Sequence, residues 1–314
     1  MCEANQVKTK YENLDGVINT KSVKELLQWG KERRLKKKDL HTLIPQASNK
    51  QITEIKSNRS MPSITWIGHS TFLLQIDGMN ILTDPVWARW QGTQKRMTDP
   101  GLSIDQLPDI DIVIISHGHY DHLDFGTIRR LPGDPIYYVP EGLKQLFLKK
   151  GYKKIMEANW WDSFQYQNLK LSFVPAQHWT RRSLFDTNTS HWGGWIIEAI
   201  EADHSIYFVG DTGYFRGFKE IAKRFKLKHV LMPIGAYEPE WFMKDSHINP
   251  EDAVKAFQEL EGIVFIPMHY GTYRLADDTG PEALDRLKRA WRTKDLPENQ
   301  LQVLEFGETL WLKV

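Results

Sequence analysis

The sequence predicts an α/β fold built as a four-layer αββα sandwich. Two observations carry that expectation. From Ile64 onward, short β-like runs alternate with helical segments and are separated by Gly, Pro and Asp, which implies two sheets with helices outside them. Four of those runs also end in a His or Asp, at the edge where open sheets gather their sites.

Taken in order, residues 1–60 are polar and form an N-terminal extension, basic and partly amphipathic over 23–40, while 61–314 form the domain that carries the sheets. ITWIG (64–68), TFLLQID (71–77) and NILTD (80–84) read as a meander, with Asp77-Gly78 as a hairpin turn. IDIVIIS (110–116) is short enough for a buried strand, and PIYYV (135–139), KLSFVPA (170–176), GGWIIEAI (193–200), SIYFVGD (205–211), HVLMPIG (229–235) and GIVFIPMH (262–269) continue the series. Helices are expected at 141–151, 218–225, 249–262 and 281–291. The third opens with an Asn cap, a Pro at the first helical position and acids in the first turn, and it closes on Gly.

Composition narrows the function classes. Hydrophobic residues are 41% and charged residues 26%, ordinary values for a globular chain with a sizeable core. The net charge of +1 gives no field that would recruit nucleic acid. One cysteine, Cys2, excludes an intramolecular disulfide and a cysteine-based metal site, and it suits a reducing compartment, so the chain is expected in the cytoplasm or peripheral on a membrane. No apolar run reaches the ~18–20 residues of a membrane span, and no secretory segment follows Met1. A lipidated Cys2 of a processed lipoprotein is the weaker reading of the Met-Cys start. The 12 Trp, 11 Tyr and 14 Phe exceed what a core of this size needs. Trp160, Trp161, Trp179, Trp192, Tyr237, Trp241 and Phe242 are candidates to wall a groove, with the core as the alternative for most of them.

The stretch SHGHYDHLD (116–124) crowds His117, His119, Asp121 and His122 directly after a predicted strand. His178, Asp211 and His269 end three further strands. Imidazole and carboxylate without thiolate suit zinc and also tolerate iron or manganese. Seven such residues are too many for one tetrahedral ion and fit two ions sharing a carboxylate.

His-x-His-x-Asp-His followed by His, Asp and His on later strands resembles the metallo-β-lactamase superfamily. The resemblance implies two zinc ions per chain, the first held by His117, His119 and His178, the second by Asp121, His122 and His269, with Asp211 bridging and catalytic. Asp84, at the end of NILTD, matches the superfamily's early aspartate, which orients ligand rings from behind. His69 in GHSTF is a candidate for the same task, with a satisfied turn histidine as the alternative. WIGHSTFLL (66–74), ILTDPVW (81–87), PAQHW (175–179), FVGDTGY (208–214), PIGAYEPEWFM (233–243), SHINPEDAV (246–254) and MHYGT (268–272) are together similar to the N-acylphosphatidylethanolamine-hydrolysing phospholipase D family over roughly residues 60–314.

That likeness implies a phospholipid substrate, with N-acylethanolamine and phosphatidate as products. His247 matches a substrate-contacting histidine and is the candidate to help the leaving group, against N-terminal capping as the alternative. Tyr120 matches a substrate contact, against packing on its loop. A hydrolase of a small soluble lactone or phosphodiester and a nucleic-acid-binding or scaffold protein on this fold are the rival readings. Lys21 to Ile44 holds eight Lys or Arg against three acids, so peripheral membrane association through 21–44 is a further expectation. A homodimer is left open.

Overall fold

The computed structural model describes residues 10–19 and 21–312; Cys2 lies outside them. The first sheet has seven strands in the order β15-β1-β2-β3-β6-β7-β8. These are β1 (Ser63–Gly68), β2 (Thr71–Ile76), β3 (Met79–Thr83), β6 (Ile110–Ile114), β7 (Gly133–Pro140), β8 (Ile155–Ala158) and β15 (Thr309–Trp311). A two-stranded ribbon, β4 (Trp90–Gln91) and β5 (Gln94–Lys95), stands apart. The second sheet has the order β14-β13-β12-β11-β10-β9. It comprises β9 (Ser163–Tyr166), β10 (Leu169–Val174), β11 (Gly194–Ala199), β12 (Ser205–Phe208), β13 (His229–Pro233) and β14 (Val264–Met268). The helices are α1 (Val23–Leu35), α2 (Ile52–Ser57), α3 (Phe125–Ile128), α4 (Lys144–Lys149), α5 (Gly217–Ala222), α6 (Glu240–Met243), α7 (Pro250–Glu259) and α8 (Gly280–Thr293).

Alternation along the strands builds the layers. Phe72, Leu74, Ile81, Ile112 and Ile114 point into the core shared with the second sheet. Leu73, Leu82, Val113 and Ile115 point the other way, onto Ile55 of α2, Phe125 and Ile128 of α3 and Phe147 of α4. Both faces at the centre of the first sheet are therefore covered, and β1 and β2 are buried on both sides. Helices α5, α7 and α8 cover the second sheet through Phe218, Val254, Phe257, Leu287 and Trp291. Trp66 of β1 stands in the inter-sheet core, 5.0 Å from Tyr270 and 4.3 Å from Phe306 between ring centroids.

Strand direction positions the site. β3 and β6 are parallel, and β1 runs the same way because it is antiparallel to β2, which is antiparallel to β3. In the second sheet, β10 shares its direction with β12, and β12, β13 and β14 are parallel. The carboxyl ends of β1, β3, β6, β10, β12 and β14 are followed by His69, Asp84, His117, His178, Asp211 and His269 in turn. Two backbone hydrogen bonds join the sheets at that edge, from His269 N–H to the His69 carbonyl and from Gly193 N–H to the Ser116 carbonyl. Just past β13, a Cβ at Gly235 would meet the His269 carbonyl at 2.1 Å, so only glycine permits this approach.

The described residues before β1 pack on this body. Ile44 enters the inter-sheet core, Ile55 enters the outer core, and Gln46 bridges to Phe306. The predicted amphipathic segment forms α1, closed by a Ser22–Glu25 capping box, and none of its residues is buried. It docks through Trp29, which stacks on Phe242 at 4.9 Å and donates to Asp277 at 3.1 Å. Beyond it, Lys36 pairs with Asp277 and Lys38 with Glu238 and Glu282. Among the described residues no helix is long and apolar enough to cross a membrane.

Candidate metal centre

The loop after β6 turns back on itself through hydrogen bonds from the His122 and Leu123 N–H groups to the His119 carbonyl. This turns His117, His119, Asp121 and His122 toward the other strand ends. Two groups of side chains result.

In the first, His117 Nε2 lies 2.9 Å and His178 Nε2 3.2 Å from His119 Nδ1. In the second, His122 Nε2 and His269 Nε2 lie 3.4 and 3.8 Å from Asp121 Oδ2. Asp211 Oδ2 stands between the groups, 3.2 Å from His122 Nε2, 3.1 Å from His269 Nε2 and 3.9 Å from His178 Nε2. All seven sequence-predicted ligands thus converge.

The donor set fits transition-metal ions on three counts. Nitrogens bonded to zinc at 2.0–2.1 Å in a tetrahedron stand about 3.3 Å apart, close to the spacing within the first group. His122 Nε2, His269 Nε2 and Asp211 Oδ1 are buried without a hydrogen-bond partner, a costly arrangement unless something else engages them. In three of the five rings the other nitrogen is occupied, which aims Nε2 inward. His122 Nδ1 bonds Asp84 Oδ2 at 2.6 Å, His117 Nδ1 bonds Ser116 Oγ at 2.9 Å, and His178 Nδ1 bonds the Ser246 carbonyl at 2.9 Å. In each of these three rings Nε2 is the nitrogen that faces the cluster.

Asp84 is fully buried and also accepts from Ser116 N–H at 2.7 Å and from Ser116 Oγ. One carboxylate therefore orients His122 directly and His117 through Ser116. His69 Nε2 faces Asp121 Oδ2 at 3.1 Å, so its ring is placed to orient that carboxylate. His69, Asp84 and His269 all sit at positive φ, 55°, 31° and 61°, a strained conformation for residues with side chains.

Electrostatics divides the groups. Burial holds the imidazole pKa of His117 and His178 well down, and that of His119 to about 4. For His269, burial opposes charge but Asp211 and Asp121 outweigh it and push the ring up to about 9. Burial also opposes charge on Asp121 and Asp211, yet His122 holds both below the usual carboxylate range.

His247 extends the cluster outward. Its Nδ1 is 3.8 Å from Asp211 Oδ2, its ring stacks on His269 at 5.5 Å, and burial holds its pKa down to about 4. Beside it opens a groove of about 260 Å³ lined by Leu26, Trp29, Trp179, Arg181, Phe242 and His247. Trp179 packs edge-on against His119 at 4.8 Å, which joins the groove to the ligands. Of the aromatics expected there, Trp179 and Phe242 line it. Trp192 and Tyr237 are core, Trp160 and Trp161 pack against the core, and Trp241 is exposed with its Nε1–H on Glu32. Trp29 and Leu26, which were not among the residues named for it, come from the extension.

Tyr120 is exposed and does not line the groove; its hydroxyl donates to the Arg182 carbonyl at 3.0 Å and its ring lies 4.0 Å from the Arg182 guanidinium. Arg182 itself donates to the Gly118 and Leu123 carbonyls at 2.7 and 2.9 Å and so clamps the histidine loop. No sequence signal marked Arg182 or Ser116 for these tasks.

Residues 79–270 match the family described as beta-lactamase superfamily domain. The chain is 35% identical over 268 residues to N-acyl-phosphatidylethanolamine-hydrolyzing phospholipase D 1 of Caenorhabditis elegans, covering 79% of this chain and 74% of that protein. The chain belongs to the metallo-β-lactamase superfamily, in its N-acylphosphatidylethanolamine-hydrolysing phospholipase D family. It is also 31% identical to a metal-dependent hydrolase of Methanopyrus kandleri, over 67% of this chain and 84% of that one. A metallo-hydrolase of the archaeon Ignicoccus hospitalis shares the fold, with a TM-score of 0.61 at 22% identity over 81% of this chain and all of that one.

Replacing the shared carboxylate tests how this superfamily member holds its ligands. Asp84→Asn turns an amide toward His122 Nδ1 or Ser116, and zinc affinity is expected to fall about 10–100-fold in competition with a chromophoric chelator. Unchanged affinity would show that Asp84 does not set the ring orientations.

Proposed function

We propose that the chain is a metal-dependent hydrolase that cleaves N-acylphosphatidylethanolamine in the phospholipase D manner, with His117, His119, His178 and Asp121, His122, His269 as the ligands of two zinc ions and Asp211 between them. The observation that supports this substrate is the groove. Its walls are apolar, it adjoins the ligand cluster, and Arg181 at its rim is an exposed cation in no ion pair among the described residues. An apolar chain and an anionic head match those two features. The names of the Caenorhabditis and Methanopyrus relatives support the same reaction class.

When bound, the two ions would neutralise charge on the phosphodiester and lower the pKa of water to about 7. In the balanced reaction water's oxygen joins phosphorus, the bond from phosphorus to the ethanolamine oxygen breaks, and that oxygen takes a proton. Trp29, Trp179 and Phe242 hold the acyl chain and exclude water, while Arg181 pairs with phosphate. His247 stands between groove and cluster. Held neutral by burial, its imidazole acts by hydrogen-bonding the substrate, rather than as the proton donor that the sequence alone suggested.

Peripheral membrane association through 21–44 is part of this proposal, with a changed set of cations. Lys36 and Lys38 are spent on acids of the body, whereas Lys24, Lys31, Arg34 and Lys37 are exposed and in no ion pair among the described residues. Val23 and Leu27 beside them are exposed as well, which suits an interfacial helix.

Hydrolysis in water enriched in heavy oxygen, with products identified by mass, tests the reaction class. The label is expected in phosphatidate and absent from N-acylethanolamine. Label in a released carboxylate would show ester or lactone cleavage instead and would remove the phospholipase reading.

The role of His247 has its own test. His247→Ala is expected to lower turnover by about 10–100-fold, the loss of one hydrogen bond to a charged group, and equally for phospholipid and for a nitrophenyl phosphodiester. A loss that shrinks for the acidic nitrophenol leaving group would identify His247 as a proton donor.

A further inference from the structure

The first described residues run behind one residue of the cluster, His178. Asn13 is buried, although it belongs to a polar segment with no helix or strand. Its Oδ1 accepts from the His178 N–H at 3.0 Å and from Trp192 Nε1–H at 3.0 Å. Its Nδ2 donates to the His178 carbonyl at 3.0 Å and to the Val17 carbonyl at 2.9 Å. One side chain thus engages both backbone groups of His178, as a neighbouring strand would. The substitution is needed because β10 ends at Val174 and the ladder with β11 stops there.

The same segment reaches the loop that orients the His178 ring. Asn19 donates to the Asp245 carbonyl at 2.9 Å, Lys21 pairs with Asp245 at 3.0 Å, and the next residue, Ser246, supplies the carbonyl that His178 Nδ1 bonds. At its other end Tyr11 stacks on His191 at 4.5 Å, and its N–H donates to the Asn188 carbonyl. The segment is therefore fastened on both sides of His178, to the backbone that carries the ring and to the loop that aims it.

We propose that Asn13 is a positioning residue for the metal centre, fixing His178 so that the extension governs the affinity of the His117, His119, His178 group for its ion. The inference rests on the reading of that group as a metal site. Truncation of Asn13 leaves the His178 N–H and carbonyl without their partner, and the ligand Nε2 is then held by Ser246 alone. A partner standing behind a metal ligand typically contributes about 10–100-fold in metal affinity.

The experiment uses the full chain as wild type, Asn13→Ala, and Leu287→Ala, a core truncation in α8 that controls for lost stability. Each is stripped of metal, titrated with zinc against a chelator and with cobalt by visible absorption, and followed by hydrogen exchange across residues 176–180 without metal. For Asn13→Ala the expected result is one ion bound about 10–100-fold more weakly, the other within about threefold of wild type, an altered cobalt spectrum for one site, and faster exchange at 176–180. Leu287→Ala is expected to melt earlier with both affinities unchanged. If Asn13→Ala does not fold, Asn13→Ser, whose hydroxyl cannot span both backbone groups, is read the same way. Wild-type affinity for both ions in the Asn13 variant overturns this inference alone. A wild-type chain that takes up no zinc overturns the metal reading beneath it, and the two failures are told apart by that first titration.

Discussion

The carboxylate of Asp84 is the constraint on which the site depends. A fully buried charge is costly unless every lone pair finds a donor. Asp84 finds the Ser116 N–H and hydroxyl and the His122 ring N–H. Burial pushes its pKa up, while the bonds from His122 and Ser116 oppose that shift. Because those donors lie on the turn after β6, next to β3 in the sheet, satisfying the carboxylate also fixes two ligand rings, one in each group. The positive φ of Asp84 is the strain that accompanies this placement.

From there the geometry follows from strand direction. Three strands in each sheet, β1, β3 and β6 and β10, β12 and β14, share a direction within their sheet, and their carboxyl ends bring histidines and aspartates into one buried volume. Within it the pKa directions are opposed. The imidazole trio of His117, His119 and His178 is driven neutral by burial, while the pair of carboxylates is held ionised by His122. Neutral imidazole and ionised carboxylate are the forms that bind cations, whereas at His122 and His269 burial is outweighed by Asp211 and Asp121, which push both rings toward the charged form. The groove adds the second half of a binding site, with apolar walls drawn from both the extension and the body.

Much of this was legible in the sequence because it is written locally. Runs such as IDIVIIS and GIVFIPMH are too apolar and too short for anything but buried strands, Asp77-Gly78 takes the left-handed pair of angles a tight hairpin needs, and Asn249 caps α7 as its spacing implied. The cluster was legible because His117, His178, Asp211 and His269 each follow such a run, and His119, Asp121 and His122 crowd the same loop as the first. Strands β9 and β15 were not, since both are short edge strands with half-exposed residues. The supporting residues were hidden for a different reason. Asn13 acts on His178 across 165 positions, and Arg182 reaches back to Gly118 across 64. Nothing in an ordinary Asn or Arg announces a partner that only the fold supplies. Helix α1 shows the limit of pattern itself, because its basic amphipathic texture did not reveal that Trp29 and Lys36 turn onto Asp277.

The central claim is that these seven residues hold two ions, and metal content tests it most directly. Full-length protein, equilibrated with zinc and freed of loosely bound metal, is analysed for zinc and for protein by amino-acid quantification. The account predicts a ratio of two per chain. A ratio of one or none in fully active protein would contradict it.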